Sequence, residues 1–291
     1  MKRTYLFLIF FIASFSYVNS QLLWKITGKR LKSPSYLFGT HHLIPIQFLD
    51  SVPGLYKAFN ECDEVVGEMV LNNIDATARI QQAAMLPDHI NIKDLLNDSD
   101  YQIVDKELKS VLKFGLKEVS MMNPTMILTM YEMEIFKKST GYTDDNQSDS
   151  FFQLVAAEKG KKVLGLETID QQIAILFGNG SLQRQADILV ETIHQKDSVL
   201  TEIKYVNSLY KKGEIDKLLE LSNRRGNVID MTDEEFDKLV DKRNLNWVSK
   251  LPQLMEESPC FIAVGALHLG GKNGLIKLLE KGGYKVRAVT K

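Results

Sequence analysis

Short apolar runs alternate with helical patterns near both ends of the chain and predict a small sheet. SYLFGT (35–40) ends near a glycine and is followed by a helical pattern at 53–62 and a buried strand pattern, DEVVGEM, at 63–69. The C-terminal part repeats this order with FIAVGA (261–266), a helical pattern at 274–283 and the strand YKVRAV (284–289). In each unit a right-handed crossover would place the two strands parallel.

The middle of the chain, from about 73 to 252, is mostly amphipathic helix. Three helix starts are predicted, namely a capping box of Ser99 with Gln102, Asn123 before Pro124, and a capping box of Thr232 with Glu235. Within this region one strand pattern, KKVLGLET (161–168), follows a helical pattern at 150–160. We therefore predict an α/β (α+β) fold in one domain, 21–291. Its small, mainly parallel sheet is built from N- and C-terminal strand–GxxH–helix–strand units and carries a large helical insertion.

The first twenty residues have the pattern of a secretory signal peptide. Lys2 and Arg3 precede an apolar run from 5 to 18, and the small residues Val18 and Ser20 favour cleavage between Ser20 and Gln21. The alternative is an uncleaved anchor, because the run is only slightly shorter than the ~17 residues that span a bilayer. No later segment is apolar enough to do so. The prediction is a secreted or periplasmic protein.

Composition narrows the class of partner. The 291 residues are 44% hydrophobic and 25% charged, which is typical of a globular protein of enzyme size. Basic residues number 36 and acidic residues 37, and no basic stripe is present. Nucleic acid is therefore not an expected partner.

Two cysteines, Cys62 and Cys260, each lie just before a predicted strand. If those strands are neighbours, the two thiols could form a disulfide in an oxidising compartment. The alternative is a pair of small buried thiols.

Four residues with acid–base or ligand chemistry follow predicted strands. His42 and His268 each lie three residues after a glycine. Glu68 lies near the end of DEVVGEM, and Glu167 lies near the end of KKVLGLET. The carboxyl ends of parallel strands meet at one edge of a sheet, so we expect these side chains to converge. They would form either a divalent metal site or a metal-free acid–base pair. The alternatives are a solvated turn for His42 and its neighbour His41, and a helix N-terminus for Glu167.

The segments GTHH, VVGEM, GLETIDQQ, RNLNW and VGALHLGGKNGL together resemble the TraB/GumN family. That family is related to Tiki-type metalloproteases and, more distantly, to erythromycin-esterase-like and haem-binding ChaN-like proteins. The resemblance covers the whole chain after the signal peptide. It implies that the following positions match the family's site residues: His42, Glu68, Asp149, Glu167, Arg243, Asn244 and His268. His41 occupies a place where such proteins more often have an apolar residue.

The resemblance implies a metal-dependent peptidase acting on a peptide or protein, with Mn²⁺ or Co²⁺ favoured over Zn²⁺. In this hypothesis His42, Glu68 and His268 hold the ion, while the catalytic groups are Glu68, Glu167 and Arg243. Arg243 would bind a substrate carboxylate or the oxyanion, unless it forms only a surface ion pair. The substrate-binding residues would be His41, Asn244 and Asp149. Two alternatives are a non-catalytic ligand- or haem-binding protein and a metal-free, erythromycin-esterase-like hydrolase.

Overall fold

A computed structural model describes residues 21–71, 74–142 and 148–290, without the side chains of 74–76 and 149. The predicted signal peptide, residues 1–20, lies outside these ranges. Within them a six-stranded sheet has the order β4-β3-β5-β2-β1-β6. Its strands are β1 (Leu23–Thr27), β2 (Ser35–Thr40), β3 (Glu64–Gly67), β4 (Lys162–Gly165), β5 (Cys260–Gly265) and β6 (Lys285–Ala288).

The four strands β4, β3, β5 and β2 are parallel neighbours, which confirms the mainly parallel sheet. Neither predicted unit pairs its own two strands. In the N-terminal unit β5 lies between β2 and β3, and in the C-terminal unit β2 and β1 lie between β5 and β6. The strand β1 was not predicted, and it pairs antiparallel with both β2 and β6. Its burial does not alternate cleanly, since both Leu23 and Trp24 are buried, so the period-2 signal is weak.

The described residues also form helices between and after the strands. These are α1 (Leu55–Glu61), α2 (Ile74–Ala83), α3 (Asp98–Leu112), α4 (Pro124–Thr140), α5 (Ser148–Glu158), α6 (Ile169–Leu176), α7 (Leu182–His194), α8 (Lys196–Lys211), α9 (Ile215–Ser222), α10 (Asp233–Phe236), α11 (Lys242–Glu257) and α12 (Leu275–Lys281). A π-helical turn, Asp237–Asp241, joins α10 to α11, and 3₁₀ turns lie at Ile46–Ser51, Ile92–Leu95 and Ala266–His268.

Two of the three predicted helix starts are confirmed. Asn123 caps α4 through the N–H of Thr125, and Thr232 forms its capping box at α10. The prediction for Ser99 is wrong, because Asn97 caps α3 two residues earlier and Ser99 lies in the first turn. Both residue types cap well, and the side chain of Asn97 accepts the N–H of Asp100.

The buried apolar side chains form two clusters. The larger one includes the sheet and the helices packed on it, with Phe152 of α5 in contact with the rings of Phe38, Phe59 and Phe261. The second, which we call the helical cluster, is formed mainly by α3, α4 and α7. Its fully buried members include Val104, Leu108, Ile127, Tyr131 and Leu189. The helical middle of the chain therefore has apolar packing of its own.

Cys62 and Cys260 are buried free thiols, so the possible disulfide is not formed. Their strands are indeed neighbours, with Glu64 of β3 opposite Cys260 of β5. Cys62 lies two residues before that position. Burial raises the pKa of both thiols to about 12, which keeps them protonated and unreactive.

No helix within the described ranges is long and apolar enough to cross a membrane.

Candidate functional site

The carboxyl ends of β4, β3, β5 and β2 form one edge of the sheet and open into a cleft of about 600 Å³. Gly67 of β3 pairs with Gly165 of β4, and Gly265 of β5 pairs with Thr40 of β2, so the four strands end at nearly the same level. Glu68, His42 and His268 all line the cleft. The predicted convergence of strand-end side chains is therefore observed for these three residues.

Close packing explains the glycines that precede the two histidines. A Cβ atom at Gly39 would lie 3.1 Å from Cα of Ala266, and one at Gly265 would lie 3.3 Å from Oε1 of Glu68. Neither position has a positive φ. A side chain at Gly39 would therefore press on the chain that follows β5, and one at Gly265 would press on the Glu68 carboxylate, so either neighbour would have to shift.

Arg243 of α11 lies at the centre of the polar end of the cleft and is only 7% exposed. Its Nε and Nη2 donate to the two oxygens of Glu167 at 2.8 and 2.9 Å, and Nη2 also donates to Oε2 of Glu68 at 2.5 Å. Its Nη1 donates to the carbonyl of Leu239 at 3.2 Å and lies 3.1 Å from Nε2 of His268. A guanidinium has five N–H groups, and these contacts use all five. The surface ion pair considered for Arg243 is therefore wrong.

Glu167 is a buried carboxylate, with only 2% of its side chain exposed. Besides Arg243, it accepts bonds from Trp247 Nε1 at 2.9 Å and Gln172 Nε2 at 2.7 Å. The N-cap of α6 is Thr168, so Glu167 precedes this helix. Its carboxylate belongs to a group of side chains around Arg243 that also includes Glu68 and His268, which we call the polar cluster. Charged carboxylates inside a protein need such partners, and Glu167 has a complete set of them.

Glu68 is the more accessible carboxylate, with 27% of its side chain exposed toward the cleft. Its Oε1 accepts the backbone N–H of Gly265 at 2.9 Å, and Oε2 accepts from Arg243. Burial opposes ionisation, but His268, which is itself protonated at the acidic pH where Glu68 titrates, favours it, as do Arg243 and the Gly265 N–H. Together they lower the pKa of Glu68 to about 2. Glu68 is therefore a carboxylate at neutral pH.

His268 is held as a neutral imidazole with an assignable tautomer. The side-chain nitrogen of Asn244 donates to the carbonyls of His268 and Asn273, so its Oδ1, 2.8 Å from Nδ1 of His268, is the acceptor of a proton from that nitrogen. Nε2 must then accept from Arg243, which can only donate. Burial lowers the pKa of His268 to about 4. The negative charge of Glu68 opposes this decrease, and the positive charge of Arg243 adds to it.

This low pKa predicts a stability change with pH. An unfolded histidine has a pKa of about 6.5, so between pH 6.5 and 4 the unfolded chain binds a proton that the folded protein does not. The contribution of His268 to the free energy of unfolding should therefore fall on acidification, by up to about 1.4 kcal/mol per pH unit. Burial raises the pKa of Glu132 to about 7, which opposes this trend over the same pH range, so the difference between wild type and a His268 variant isolates the contribution of His268. Urea denaturation in EDTA at pH 7 and 5 checks this. Between pH 7 and pH 5, the free energy of unfolding should fall less in the variant His268→Gln than in wild type. An equal fall in both proteins would contradict the assignment.

The remaining predicted residues have varied placements. His41 lines the cleft, and its Nε2 lies 2.5 Å from Oδ1 of Asn207 on α8. Asn244 is fully buried and does not line the cleft, so its contacts fit the positioning of His268 and not the predicted substrate binding. Asp149 lies in α5, but its side chain is outside the described residues. The two other histidines of the described residues, His89 and His194, do not line the cleft.

The predicted metal ligands do not form a metal site as they stand. Over the described part of the chain, no group of three histidine, cysteine, aspartate or glutamate side chains is close enough to hold an ion. Glu68 Oε1 and His268 Nε2 are 3.8 Å apart, but Arg243 contacts both side chains. His42 contributes to the cleft wall without completing such a group.

Sequence reasoning missed two members of the polar cluster, Gln172 and Trp247. Trp247 donates to Glu167 and packs against both Arg243, 4.7 Å from its ring centre, and the ring of His268 at 4.4 Å. Its spacing of four from Arg243 on a predicted helix was the available signal, because residues at i and i+4 share a face. Gln172 lies in the first turn of α6, close in sequence to Glu167, to which it donates.

Comparisons with known proteins identify a family and several relatives of this chain. A model of the TraB/PrgY/gumN family matches residues 22–288. The chain is similar to Metalloprotease TIKI1 of Danio rerio, with 23% identity covering 92% of this chain and 63% of the relative. It is also similar to Metalloprotease TIKI2 of Danio rerio, with 23% identity covering 92% and 60%, and to Metalloprotease TIKI1 of Xenopus tropicalis, with 24% identity covering 93% and 62%. The chain thus spans less than two thirds of each relative's length. No solved structure gives a significant match.

Proposed function

Because this chain belongs to the TraB/PrgY/gumN family, we propose that it is a hydrolase that cleaves peptide bonds at the polar end of the cleft. The observation that carries this proposal is the Glu68 carboxylate, which reaches one end of a cleft that is otherwise largely apolar. The similar proteins named as metalloproteases support the choice of reaction. Export through a signal peptide at 1–20 is part of the same proposal.

Each residue of the polar cluster then has a role. Glu68 orients the attacking water, because it is the carboxylate of the pair that reaches the cleft. Glu167 is a positioning residue that anchors Arg243, since its own side chain is buried. Arg243 has no spare donor for the oxyanion while all of its present bonds persist. Catalysis therefore needs Arg243 to release at least one partner as substrate enters.

The lining of the cleft supports a peptide with apolar side chains near the cleaved bond. Leu71 and Leu176 line it and remain 39% and 45% exposed, so apolar surface faces solvent at these positions. Further apolar side chains along its walls include Ile80, Ile175, Val206, Leu218 and Leu239. A preformed apolar cleft with a few polar groups at one end is typical of a ligand site.

A divalent ion, Mn²⁺, Co²⁺ or Zn²⁺, would be held by His42, Glu68 and His268 in the metal-dependent form of this proposal. The arrangement described above does not fit such an ion, because Arg243 contacts both Glu68 and His268 and no group of three ligating side chains forms among the described residues. No step of the reaction is therefore derived through it.

The experiment is a screen of the purified protein, expressed from the full-length sequence, against end-protected peptide libraries with and without apolar residues. Products are identified by mass spectrometry, in parallel with EDTA, Mn²⁺ and Co²⁺. We expect cleavage next to apolar residues. No cleavage of any peptide under any of these conditions would refute the proposal.

The engaged Arg243 favours a second candidate, a hydrolase that works without metal. In that case the Glu68 carboxylate, or neutral His268 once Arg243 releases its Nε2, would take the proton of the attacking water. Full activity in EDTA, with no increase on adding Mn²⁺ or Co²⁺, would select this candidate.

A further inference from the structure

We propose that Thr40, the last residue of β2, is a further catalytic residue whose hydroxyl donates a hydrogen bond to the carbonyl oxygen of the cleaved bond. Thr40 lines the cleft at the ends of the parallel strands. This role rests on the proposed function, because it supplies a donor for the same hydrolysis. It adds to the site a group that the polar cluster does not contain.

The hydroxyl of Thr40 has no hydrogen-bond partner in the described part of the chain. Thr40 is only 2% exposed, and its Oγ1 atom is buried. Buried polar groups in folded proteins are nearly always hydrogen-bonded, because leaving one without a partner lowers stability. A bound substrate in the cleft would supply the partner that the protein itself does not provide.

The register of the sheet places the Thr40 side chain near Glu68 and His268. Thr40 of β2 is the register partner of Gly265 of β5, so both positions face the same side of the sheet. A Cβ atom at Gly265 would lie 3.3 Å from Oε1 of Glu68 and 3.5 Å from Cδ2 of His268. Neighbouring strands are about 4.8 Å apart, so Thr40 lies one strand spacing from that position.

Gly265 leaves an opening between Thr40 and Glu68, because it has no side chain. The strand β5 lies between β3 and β2, so Glu68, which follows β3, and Thr40 are on opposite sides of Gly265. Oε1 of Glu68 accepts the backbone N–H of Gly265 at 2.9 Å and therefore reaches β5. A carbonyl above Gly265 would have Glu68, which orients the attacking water, on one side and the Thr40 hydroxyl on the other.

A hydroxyl suits this position because it donates a hydrogen bond without losing its proton. The oxygen of the attacking water bonds to the carbonyl carbon, the π electron pair of the carbonyl moves onto its oxygen, and the water proton passes to Glu68 or His268. The Thr40 hydroxyl stabilises the new negative charge. Arg243 cannot donate to this oxygen until it releases a partner, whereas Thr40 has no bond to give up.

The test compares Thr40→Val and Thr40→Ser, using the peptide that wild type cleaves best in the library screen. Valine has nearly the same shape but no hydroxyl, so kcat should fall about 100-fold, and by at least tenfold, while KM stays within about threefold. Serine keeps the hydroxyl and should retain kcat to within about fivefold. A smaller fall in Thr40→Val, an equal fall in both variants, or an effect mainly on KM would overturn the proposal.

Thermal unfolding separates this role from a structural one. Removing a buried hydroxyl that has no partner should not destabilise the protein, so the unfolding midpoint of Thr40→Val should be no more than about 2 °C below that of wild type. A larger decrease, or a variant that does not fold, would show that the hydroxyl already has a partner and would overturn the proposal.

Thr192→Val on α7 is the matched control. Thr192 is fully buried, its hydroxyl also has no partner among the described residues, and it does not line the cleft. This variant should keep both the unfolding midpoint and the kcat of wild type, and a kcat lowered as much as in Thr40→Val would overturn the proposal. A wild type that cleaves no peptide would refute the proposed function itself, whereas an active wild type matched by Thr40→Val would refute the role of Thr40 alone.

Discussion

Replacing Glu167 with alanine is expected to lower the free energy of unfolding by about 3–5 kcal/mol, the largest loss that we expect from one side chain of the cluster. Glu167 accepts from Arg243 twice, from Trp247 and from Gln172, and all four bonds are buried. Removing it leaves the guanidinium short of its principal partner and an indole N–H unsatisfied, and such groups cost far more than the bond itself contributes. Urea denaturation followed by circular dichroism measures the change.

The control is Glu234→Ala on α10. This glutamate also pairs with a basic residue, Lys238 at 2.8 Å, but 75% of its side chain is exposed. Exposed pairs contribute little, so the change should stay within about 0.5 kcal/mol. A loss at Glu167 no larger than that at Glu234 would show that the cluster does not contribute to stability as described.

Replacing Glu68 with glutamine is expected to lower kcat/KM for a library-derived peptide by about 100-fold or more, because a neutral amide cannot orient the attacking water as a carboxylate does. Glutamine keeps the shape of the side chain and an oxygen for the N–H of Gly265. Its amide nitrogen cannot accept from Arg243 as Oε2 does, but the two bonds of Arg243 to Glu167 remain, so the fold should persist. Initial rates over a range of peptide concentrations, together with a thermal unfolding curve, separate lost chemistry from lost structure.

Glu202→Gln is the control for this second variant. Glu202 lines the same cleft but pairs with Arg224 at 3.4 Å on the exposed side, away from the polar cluster. Its kcat/KM should remain within about twofold of wild type, as expected for an exposed charge. Equal activity of wild type and Glu68→Gln would remove Glu68 from the proposed mechanism.

The sheet and the location of the site could be predicted from the sequence because strand ends are local features. Glycine-terminated apolar runs mark β2, β3, β4 and β5, and the ends of parallel strands must meet. This reasoning needs no knowledge of side-chain conformation. It failed for β1, where both Leu23 and Trp24 are buried, and at Ser99, where Asn97 caps the helix instead.

The partners within the site could not be predicted, because they depend on side chains from distant segments. Arg243 and Glu167 are separated by 76 positions, and Arg243 and Glu68 by 175. Nothing in the local pattern distinguishes an arginine that faces solvent from one that faces buried carboxylates. Arg243, for which a surface ion pair was the alternative, therefore lies at the centre of the cluster, and two of the three expected metal ligands, Glu68 and His268, contact its guanidinium.

The position of β5 between β3 and β2 has a consequence for the order of folding. Tyr36 of β2 pairs with Phe261 of β5, so the centre of the sheet joins segments from opposite ends of the chain. Such distant pairings form slowly, whereas the helical cluster depends on segments much nearer in sequence. During synthesis the helices can pack before β5 exists. A nascent chain that ends before His268 has no complete cleft, so the candidate site forms only after the segment that contains β5 and His268 has been synthesised.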